Sequence, residues 1–236
     1  MKLGIMQPYF FPYLGYFSLI KHTDQYVLLD KVQFIRHGWI ERNRVLKQSG
    51  GWSYIAVPLK KHSQSTLISD IEINNLENWK RKIISQLEYY KGAPYYYKTM
   101  NVVKDILEAG TQSIVELDLY ALQKVCEYLS INTPIKIFSQ MNLKIEKPRA
   151  ADEWALNICR SIEGVREYWN PIGGKEFFNC EKYIENHIEI YFQQMHIEEY
   201  KQKENNFESG LSILDVMMFN SPEKINQMLD NYELVR

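Results

Sequence analysis

The chain has 236 residues, of which 45% are hydrophobic and 24% charged, and its formal net charge is −1. This composition is typical of a folded globular protein and excludes a wholly disordered one. Lysine and arginine are spread along the chain, so the sequence lacks the electrostatic footprint of a dedicated DNA or RNA binder.

The patterns of cysteine, histidine and hydropathy indicate whether the protein has disulfides, a metal site or a membrane span. The three cysteines are widely separated and the five histidines form no metal-binding motif, so we expect neither a disulfide framework nor a metal site. Pro8 and Pro12 interrupt the apolar start of the chain, and no stretch reaches the roughly 18 apolar residues that a membrane span needs. We therefore expect a soluble, cytoplasmic protein.

The first 30 residues have the pattern of a parallel βαβ unit. A predicted strand at 2–7 is followed by a proline-rich loop, a helix that ends near residue 23 and a second strand at 25–30. Strands joined in this way through a helix are parallel, and their crossover is right-handed.

The middle of the chain predicts a hairpin followed by helices. Two alternating segments within 31–60 are separated by Gly50 and Gly51, which is typical of a hairpin turn. A short strand is predicted at 69–75. Amphipathic helices are predicted at 76–92, 95–110 and 113–131.

After residue 133, short apolar strands again alternate with helices. Strands are predicted at 134–140, 166–171 and 188–195, and helices at 150–164, 180–187, 212–220 and 222–234. This alternation predicts an α/β fold with a Rossmann-like parallel sheet. We expect a single domain over 1–236, with the hairpin and helices of about 31–130 as an elaboration.

Ligands of open parallel sheets bind beyond the carboxyl ends of the strands, near the point where the strand order reverses. Four polar or glycine-containing clusters follow predicted strands, at 7–16, at Asp30, at 139–142 and at 170–174. We expect all four on one rim of the sheet.

The segment "MQPYFFPYLGYFSLI" (6–20) contains the first of these clusters. Its two prolines stiffen the loop, and a glycine at the start of the helix allows a ligand to approach closely. Its phenylalanines are expected in the core, and packing of the tyrosines there is the alternative to a ligand role. The candidate binding residues are Gln7, Tyr9, Tyr13, Gly15 and Tyr16.

Asp30 ends an apolar strand, where a carboxylate needs a partner. It is expected either to pair with Arg42 or Arg44 or to act as a base or as an acceptor for a ligand hydroxyl. The segment "GWIERNRV" (38–45) adds Trp39 and Asn43 to these two arginines. Guanidinium groups bind phosphate or carboxylate, and an indole can stack on a sugar or a base. A solvated strand face is the alternative.

Two further segments are weaker candidates. "WNPIGGKEF" places Asn170, Gly173 and Gly174 in a glycine loop whose amides could hold a phosphate, or in a turn without a ligand. Ser212 and Asp215 have the spacing of a helix capping box, and ligand contact is the second interpretation.

Several separated segments together resemble the WbqC-like proteins of bacteria. They are "MQPYFFPYLGYFSLI", "VLLDKVQFIRHGWIERNRVL", "GWSYIAVPL", "YYKGAPYYY", "YWNPIGGKEF" and "GLSILDVMMFN". The resemblance implies a role in surface polysaccharide or O-antigen synthesis. It implies a transferase that N-acylates or aminoacylates an amino sugar linked to a nucleotide. From the residues themselves, Asp30 and Arg42 are the catalytic candidates.

The first loop is also similar in its position to the signature loop of nucleotidylyltransferases and class I aminoacyl-tRNA synthetases. Tyr13 and Tyr16 stand where those proteins have histidines, and a neutral phenol lacks the charge that stabilises a transferring phosphate. ATP-dependent nucleotidyl or adenylate transfer and non-catalytic binding of a sugar nucleotide or a partner are the alternative functions. The sequence leaves open the cofactor, the donor (charged tRNA included) and whether the protein is a homo-oligomer.

Overall fold

The computed structural model describes residues 1–203 and 206–236. Its strands are β1 (Lys2–Met6), β2 (Gln25–Leu28), β3 (Arg42–Leu46), β4 (Trp52–Ala56), β5 (Ile135–Ile137), β6 (Glu167–Pro171), β7 (Glu189–Met195) and β8 (Tyr232–Val235). Its helices are α1 (Leu14–His22), α2 (Trp79–Leu87), α3 (Tyr96–Glu108), α4 (Ile114–Tyr128), α5 (Glu153–Ser161), α6 (Cys180–Glu185), α7 (Ile213–Phe219) and α8 (Pro222–Leu229). Short 3-10 helices cover Ile68–Asp70, Glu88–Tyr90, Phe138–Gln140 and Ile172–Phe177.

Six strands form one sheet in the order β5-β2-β1-β6-β7-β8. All neighbours are parallel except β8, which is antiparallel to β7. The chain first extends the sheet from β1 through β2 to β5, and then returns to the other side of β1 with β6. The predicted α/β fold with a mostly parallel sheet is therefore confirmed, and the strand order reverses between β1 and β6.

Helices cover both faces of this sheet because its central strands are apolar on both sides. In β1, Leu3 and Ile5 belong to the core under α5 and α6. Gly4 faces the opposite side, where a methyl group would lie 2.6 Å from the ring of Tyr26. The absence of a side chain at Gly4 thus gives the Tyr26 ring its place in the larger core, which also contains α1 and α4.

The predicted hairpin is confirmed in β3 and β4, which pair as a separate antiparallel sheet. Gly50 and Gly51 both have positive φ, the conformation that glycine adopts without strain. Residues 31–41, which the sequence placed in the first arm of the hairpin, form an irregular loop instead.

The strand predicted at 69–75 is wrong. A 3-10 helix at Ile68–Asp70 is followed by isolated bridges, of which Glu72 pairs with Ser113 and Ile73 with Leu59. Ile71 and Ile73 are buried, which explains the alternating pattern. Their burial comes from packing between the hairpin and the start of α4, not from a continuous ladder.

The last predicted helix is also too long. Helix α8 ends at Leu229, and residues 232–235 form β8 along β7 instead. The start of α8 is as predicted, since the Ser221 hydroxyl caps the Lys224 amide and Pro222 is the first helical residue. Within the described part of the chain, no helix is long and apolar enough to span a bilayer.

Asp118 in α4 carries a buried carboxyl group that has no hydrogen-bond partner among the described residues. The side chain is fully buried, and neither of its oxygens accepts a hydrogen bond from the described residues. Burial, followed by the nearby Glu41, raises the pKa of Asp118 well above its usual range. Because the folded state holds the proton of Asp118 more tightly than the unfolded state does, the free energy of unfolding is highest below the pKa of the unfolded chain. It falls as the pH rises through the pKa of the folded protein.

We predict that Asp118→Asn raises the free energy of unfolding by about 1–3 kcal/mol at pH 8, because it removes the cost of ionising an unsolvated group. At pH 4 the effect is expected to be much smaller. Denaturant unfolding at both pH values measures the difference, and Asp105→Asn, exposed on the neighbouring helix α3, is the control. A loss of stability at pH 8 would contradict the prediction.

Candidate functional site

The loop between β1 and α1 is held in place by the segment before β3. The Phe10 amide donates to the carbonyl of Trp39 (2.9 Å). The side-chain amide of Asn43 donates to the carbonyl of Phe10 (3.1 Å). Because Phe10 and Asn43 are both buried, these bonds fix the spacing of the two segments in a site shielded from water.

The same loop is held from a second side by the start of α7. The Ser212 hydroxyl donates to the carbonyl of Phe11 (2.8 Å), and the Ile213 amide donates to the carbonyl of Pro12 (2.9 Å). Phe11 has a φ of +42°, in the left-handed region that bulky residues rarely adopt. Such a conformation persists only where its surroundings determine it, and backbone strain of this kind occurs most often at functional sites.

Next to this loop lies a cavity of about 310 Å³. Aromatic rings and one guanidinium group form much of its wall. Five of the predicted binding residues line it, namely Tyr9, Tyr13, Trp39, Asn43 and Arg44, together with Pro12, Ile197 and Gly210. The structure thus brings together candidate residues from the first loop and from the segment 39–44.

Arg44 is the cationic group of this cavity. Its guanidinium carbon lies 5.5 Å from the ring centre of Trp39 and 5.1 Å from that of Trp52, a cation–π arrangement. Nη2 donates to the carbonyl of Gly210 (2.9 Å), whereas the buried Nε has no acceptor. No carboxylate forms an ion pair with Arg44 in residues 1–203 and 206–236. Within the described residues the charge of Arg44 is therefore not neutralised by a carboxylate, so the cavity can attract an anionic ligand.

Two tyrosines of the first loop face this cavity as neutral hydrogen-bonding groups. Burial raises the pKa of Tyr9 and that of Tyr13, so both phenols stay protonated at neutral pH. The ring of Tyr13 lies over the start of α1, where a methyl group on Gly15 would be 2.5 Å from it. Gly15 thus serves the placement of Tyr13 rather than a ligand contact of its own.

Tyr16 lies behind the loop. Its hydroxyl donates to the carbonyl of Gln7 (2.7 Å), and the side chain is only 1% exposed. Burial raises the pKa of Tyr16 well above its usual range. Tyr16 therefore supports the loop from within the core and does not line the cavity.

Asp215 connects two walls of the cavity. Its carboxylate accepts hydrogen bonds from the hydroxyls of Tyr90 (2.8 Å) and Tyr200 (2.6 Å) and from the amide of Gln202 (2.8 Å). The Tyr90 hydroxyl in turn accepts from the backbone of Leu46 in β3, the strand that carries the cavity arginine. Burial raises the pKa of Asp215, and the three hydrogen bonds act in the opposite direction.

Ser212 and Asp215 do not form the reciprocal capping box that their spacing suggests. The Ser212 hydroxyl accepts a hydrogen bond from the amide of Leu214, so Ser212 is the N-cap residue of α7. The Ser212 amide, however, donates to the carbonyl of Arg44, and the carboxylate of Asp215 points to the tyrosines instead. Both residues position the wall of the cavity.

The remaining candidates lie along the carboxyl edge of the sheet. Gln7 follows β1, Asp30 follows β2, and Asn170 ends β6. Gly173 and Gly174 lie in the 3-10 helix that continues β6, and a methyl group on Gly174 would be 2.3 Å from the Asn170 side-chain oxygen. These residues share one edge, as predicted, but do not line the cavity.

Asp30 is 1% exposed, and its Oδ1 accepts a hydrogen bond from the backbone of Ser139 (3.0 Å). Neither predicted arginine pairs with it. Arg42 donates to the carbonyls of His37 (2.5 Å) and Gly38 (3.3 Å) and stacks on Tyr54, with 4.0 Å between its guanidinium carbon and the ring centre. The Arg42 side chain therefore lies on the hairpin and does not line the cavity.

Sequence reasoning missed the far wall of the cavity. Ile197 and Gly210 lie outside the helices and strands, in parts of the chain between β7 and α7 whose sequence has no periodic pattern. It also missed Tyr90, Tyr200 and Gln202, whose polar groups meet Asp215 only in the folded chain. The aromatic character of "GWSYIAVPL" was the one available signal for the stacking of Trp52 on Arg44.

The fold, the first loop and the hairpin define a particular class of α/β protein. The model of the WbqC-like protein family matches residues 7–227, so the chain belongs to that family. It is also similar to the uncharacterized protein Rv1507c of Mycobacterium tuberculosis, with 26% identity over 220 residues that cover 92% of each chain. No solved structure matches the chain.

We predict that Asp215→Asn lowers the free energy of unfolding at pH 7 by about 1–3 kcal/mol, because an amide cannot accept all three hydrogen bonds. For a chain of this size that is a fall of about 2–4 °C in Tm for each kcal/mol. Thermal melting measures it. Asp118→Asn is the matched comparison, since it changes a buried aspartate without partners, and a gain from both substitutions would contradict the role given to Asp215.

Proposed function

We propose that this protein is a transferase of bacterial glycan biosynthesis that acylates or aminoacylates the nitrogen of an amino sugar linked to a nucleotide. Membership of the WbqC-like family supports a role in surface polysaccharide synthesis. The cationic, aromatic cavity supports an anionic sugar substrate. We further propose a cytoplasmic location, where nucleotide-linked sugars are made.

The main support for this proposal is the environment of Arg44. A half-buried guanidinium between two indoles is already desolvated in part, and it has no carboxylate partner in the described structure. A phosphate or carboxylate that enters the cavity would gain charge-assisted hydrogen bonds without first breaking an ion pair. The unpaired buried Nε is the clearest sign that an acceptor is expected there.

The rings around Arg44 suit the sugar. Tyr9, Tyr13 and Trp39 present large flat surfaces, and the two phenols can donate hydrogen bonds to sugar hydroxyls. The cavity also lacks a carboxylate among the described residues that line it. These rings and Arg44 would therefore bind and orient the substrate, while proton transfer needs another group.

For that step we propose Asp30. In the reaction the amine nitrogen attacks the carbonyl carbon of the donor, the bond from that carbon to the leaving group breaks, and the amine proton moves to a base. Oδ2 of Asp30 accepts no hydrogen bond from the described residues, so it is the carboxylate oxygen available at this edge. Gln7, Asn170 and the Gly173-Gly174 turn would contact the donor there.

Because Asp30 does not line the cavity, a non-catalytic binder of sugar nucleotides is the second candidate. Such a protein would hold the ligand at Arg44 and leave it unchanged. The two functions differ in one observable, the mass of an amino-sugar nucleotide after incubation with the protein and a donor.

We predict that Arg44→Ala weakens binding of a nucleotide-linked amino sugar about 10- to 100-fold, the range for one charge-assisted hydrogen bond. Arg44→Lys keeps the charge but loses the planar fork, so an intermediate affinity is expected. Calorimetric titration measures both, and Arg81→Ala, exposed on α2, is the control.

Turnover is tested by mass spectrometry with acyl-CoA, with an amino acid and ATP, or with charged tRNA as the donor. Asp30→Asn is expected to slow transfer about 100-fold or more while the fold is retained, because the amide can still accept the Ser139 bond. Transfer at the wild-type rate by folded Asp30→Asn would remove Asp30 from the mechanism. Binding without any mass change would favour the second candidate.

A further inference from the structure

Beside the cavity, two irregular segments lie against each other. The Phe34 amide donates to the carbonyl of Thr66 (2.9 Å), and the Ile68 amide donates to the carbonyl of Val32 (3.0 Å). The rings of Phe34 and His62 also meet edge to face, with centres 5.1 Å apart. Residues 31–42 and 60–68 together are called the basic lobe.

The basic lobe and the hairpin concentrate positive charge. Residues 31–62 contain seven Lys or Arg and one acidic residue, Glu41, although the whole chain has a formal charge of −1. Arg36, His37 and Lys61 are exposed on the lobe. Of its lysines, only Lys60 has a carboxylate partner in the described structure, Glu72.

The cations form a row that leads away from the cavity. Arg44 and Arg42 lie two positions apart on β3, so both point to the same face of the hairpin. Arg42 then contacts the backbone of His37, and Arg36 contacts that of His62 (3.5 Å). Positive groups thus continue from the cavity wall across the lobe.

The cavity is too small for a whole nucleotide-linked sugar. At about 310 Å³ it lies at the lower end of the range for small-molecule pockets. It can hold a sugar ring with its charged group but not an entire nucleotide-linked sugar. Trp39 belongs to the basic lobe and also lines the cavity, and it is 37% exposed.

We propose that the nucleoside diphosphate part of the substrate lies on the basic lobe. The phosphate next to the sugar binds Arg44, the other phosphate lies along Arg42 and Arg36, and the nucleoside packs beside Trp39 and Lys61. The sugar occupies the cavity. This inference rests on the proposed function only in taking the substrate to be nucleotide-linked.

Calorimetric titration of the full chain with UDP and with dTDP tests the inference, because neither probe carries the amino sugar that would occupy the cavity. The double variant Arg36→Ala/Lys61→Ala is expected to bind the better probe about tenfold more weakly than the wild type. The control is Lys47→Ala, which removes one exposed charge at the opposite end of β3 and is expected to change the affinity less than about twofold.

An equal loss in the double variant and in Lys47→Ala would mean a general charge effect and would overturn the inference. An unchanged affinity of the double variant for UDP and dTDP would also overturn the inference. The same holds if the double variant loses affinity for charged tRNA but not for UDP or dTDP. A different result would contradict the proposed function. If UDP or dTDP binds the lobe but no amino-sugar nucleotide is modified, the lobe keeps its role and the transferase does not.

Discussion

The site depends on a loop whose backbone carbonyls are used as hydrogen-bond acceptors. Two prolines in the segment between β1 and α1 cannot donate, so the loop cannot be held by a ladder of its own. Phe10, Phe11 and Pro12 instead accept hydrogen bonds from Asn43, Ser212 and Ile213. This arrangement joins the parallel sheet to the hairpin and to α7, and the cavity lies between them.

Arg44 is placed by the same set of contacts. Its own carbonyl accepts from Ser212, its guanidinium donates to Gly210, and β3 is tied through Leu46 and Tyr90 to Asp215. A charged side chain loses much conformational entropy when it is fixed. In this protein folding already fixes the guanidinium between two indoles. A ligand therefore binds without a further loss of conformational entropy in this side chain.

Much of this fold could be predicted from sequence because the responsible forces are local and periodic. The apolar runs of β1 and β2, the glycine pair of the hairpin and the Ser221-Pro222 start of α8 each determine their own element. The predictions of a strand at 69–75 and of a helix that continues to residue 234 are wrong for a physical reason. Ile71 and Ile73 have the alternation of a strand but pack without a ladder, and the strand near the end of the chain is defined only by its pairing with β7.

The site was predictable in part for a similar reason. Aromatic and cationic residues of the first loop and the hairpin carry their chemistry in the sequence, and Tyr9, Tyr13, Trp39 and Arg44 do meet. That Asp30 holds the Ser139 amide, and that no carboxylate of the described residues pairs with Arg44, are properties of distances between remote segments. No pattern within either segment encodes them.

The contacts of Ser212 have a consequence for how the chain can be divided. Most of the residues that line the cavity come from the first 44 positions, so the site could be mistaken for a separable N-terminal unit. Yet the loop that shapes it is closed by Ser212 and Ile213, some 200 positions further on. A fragment or chimera that carried the conspicuous motifs without the "GLSILDVMMFN" segment would keep the residues and lose their geometry.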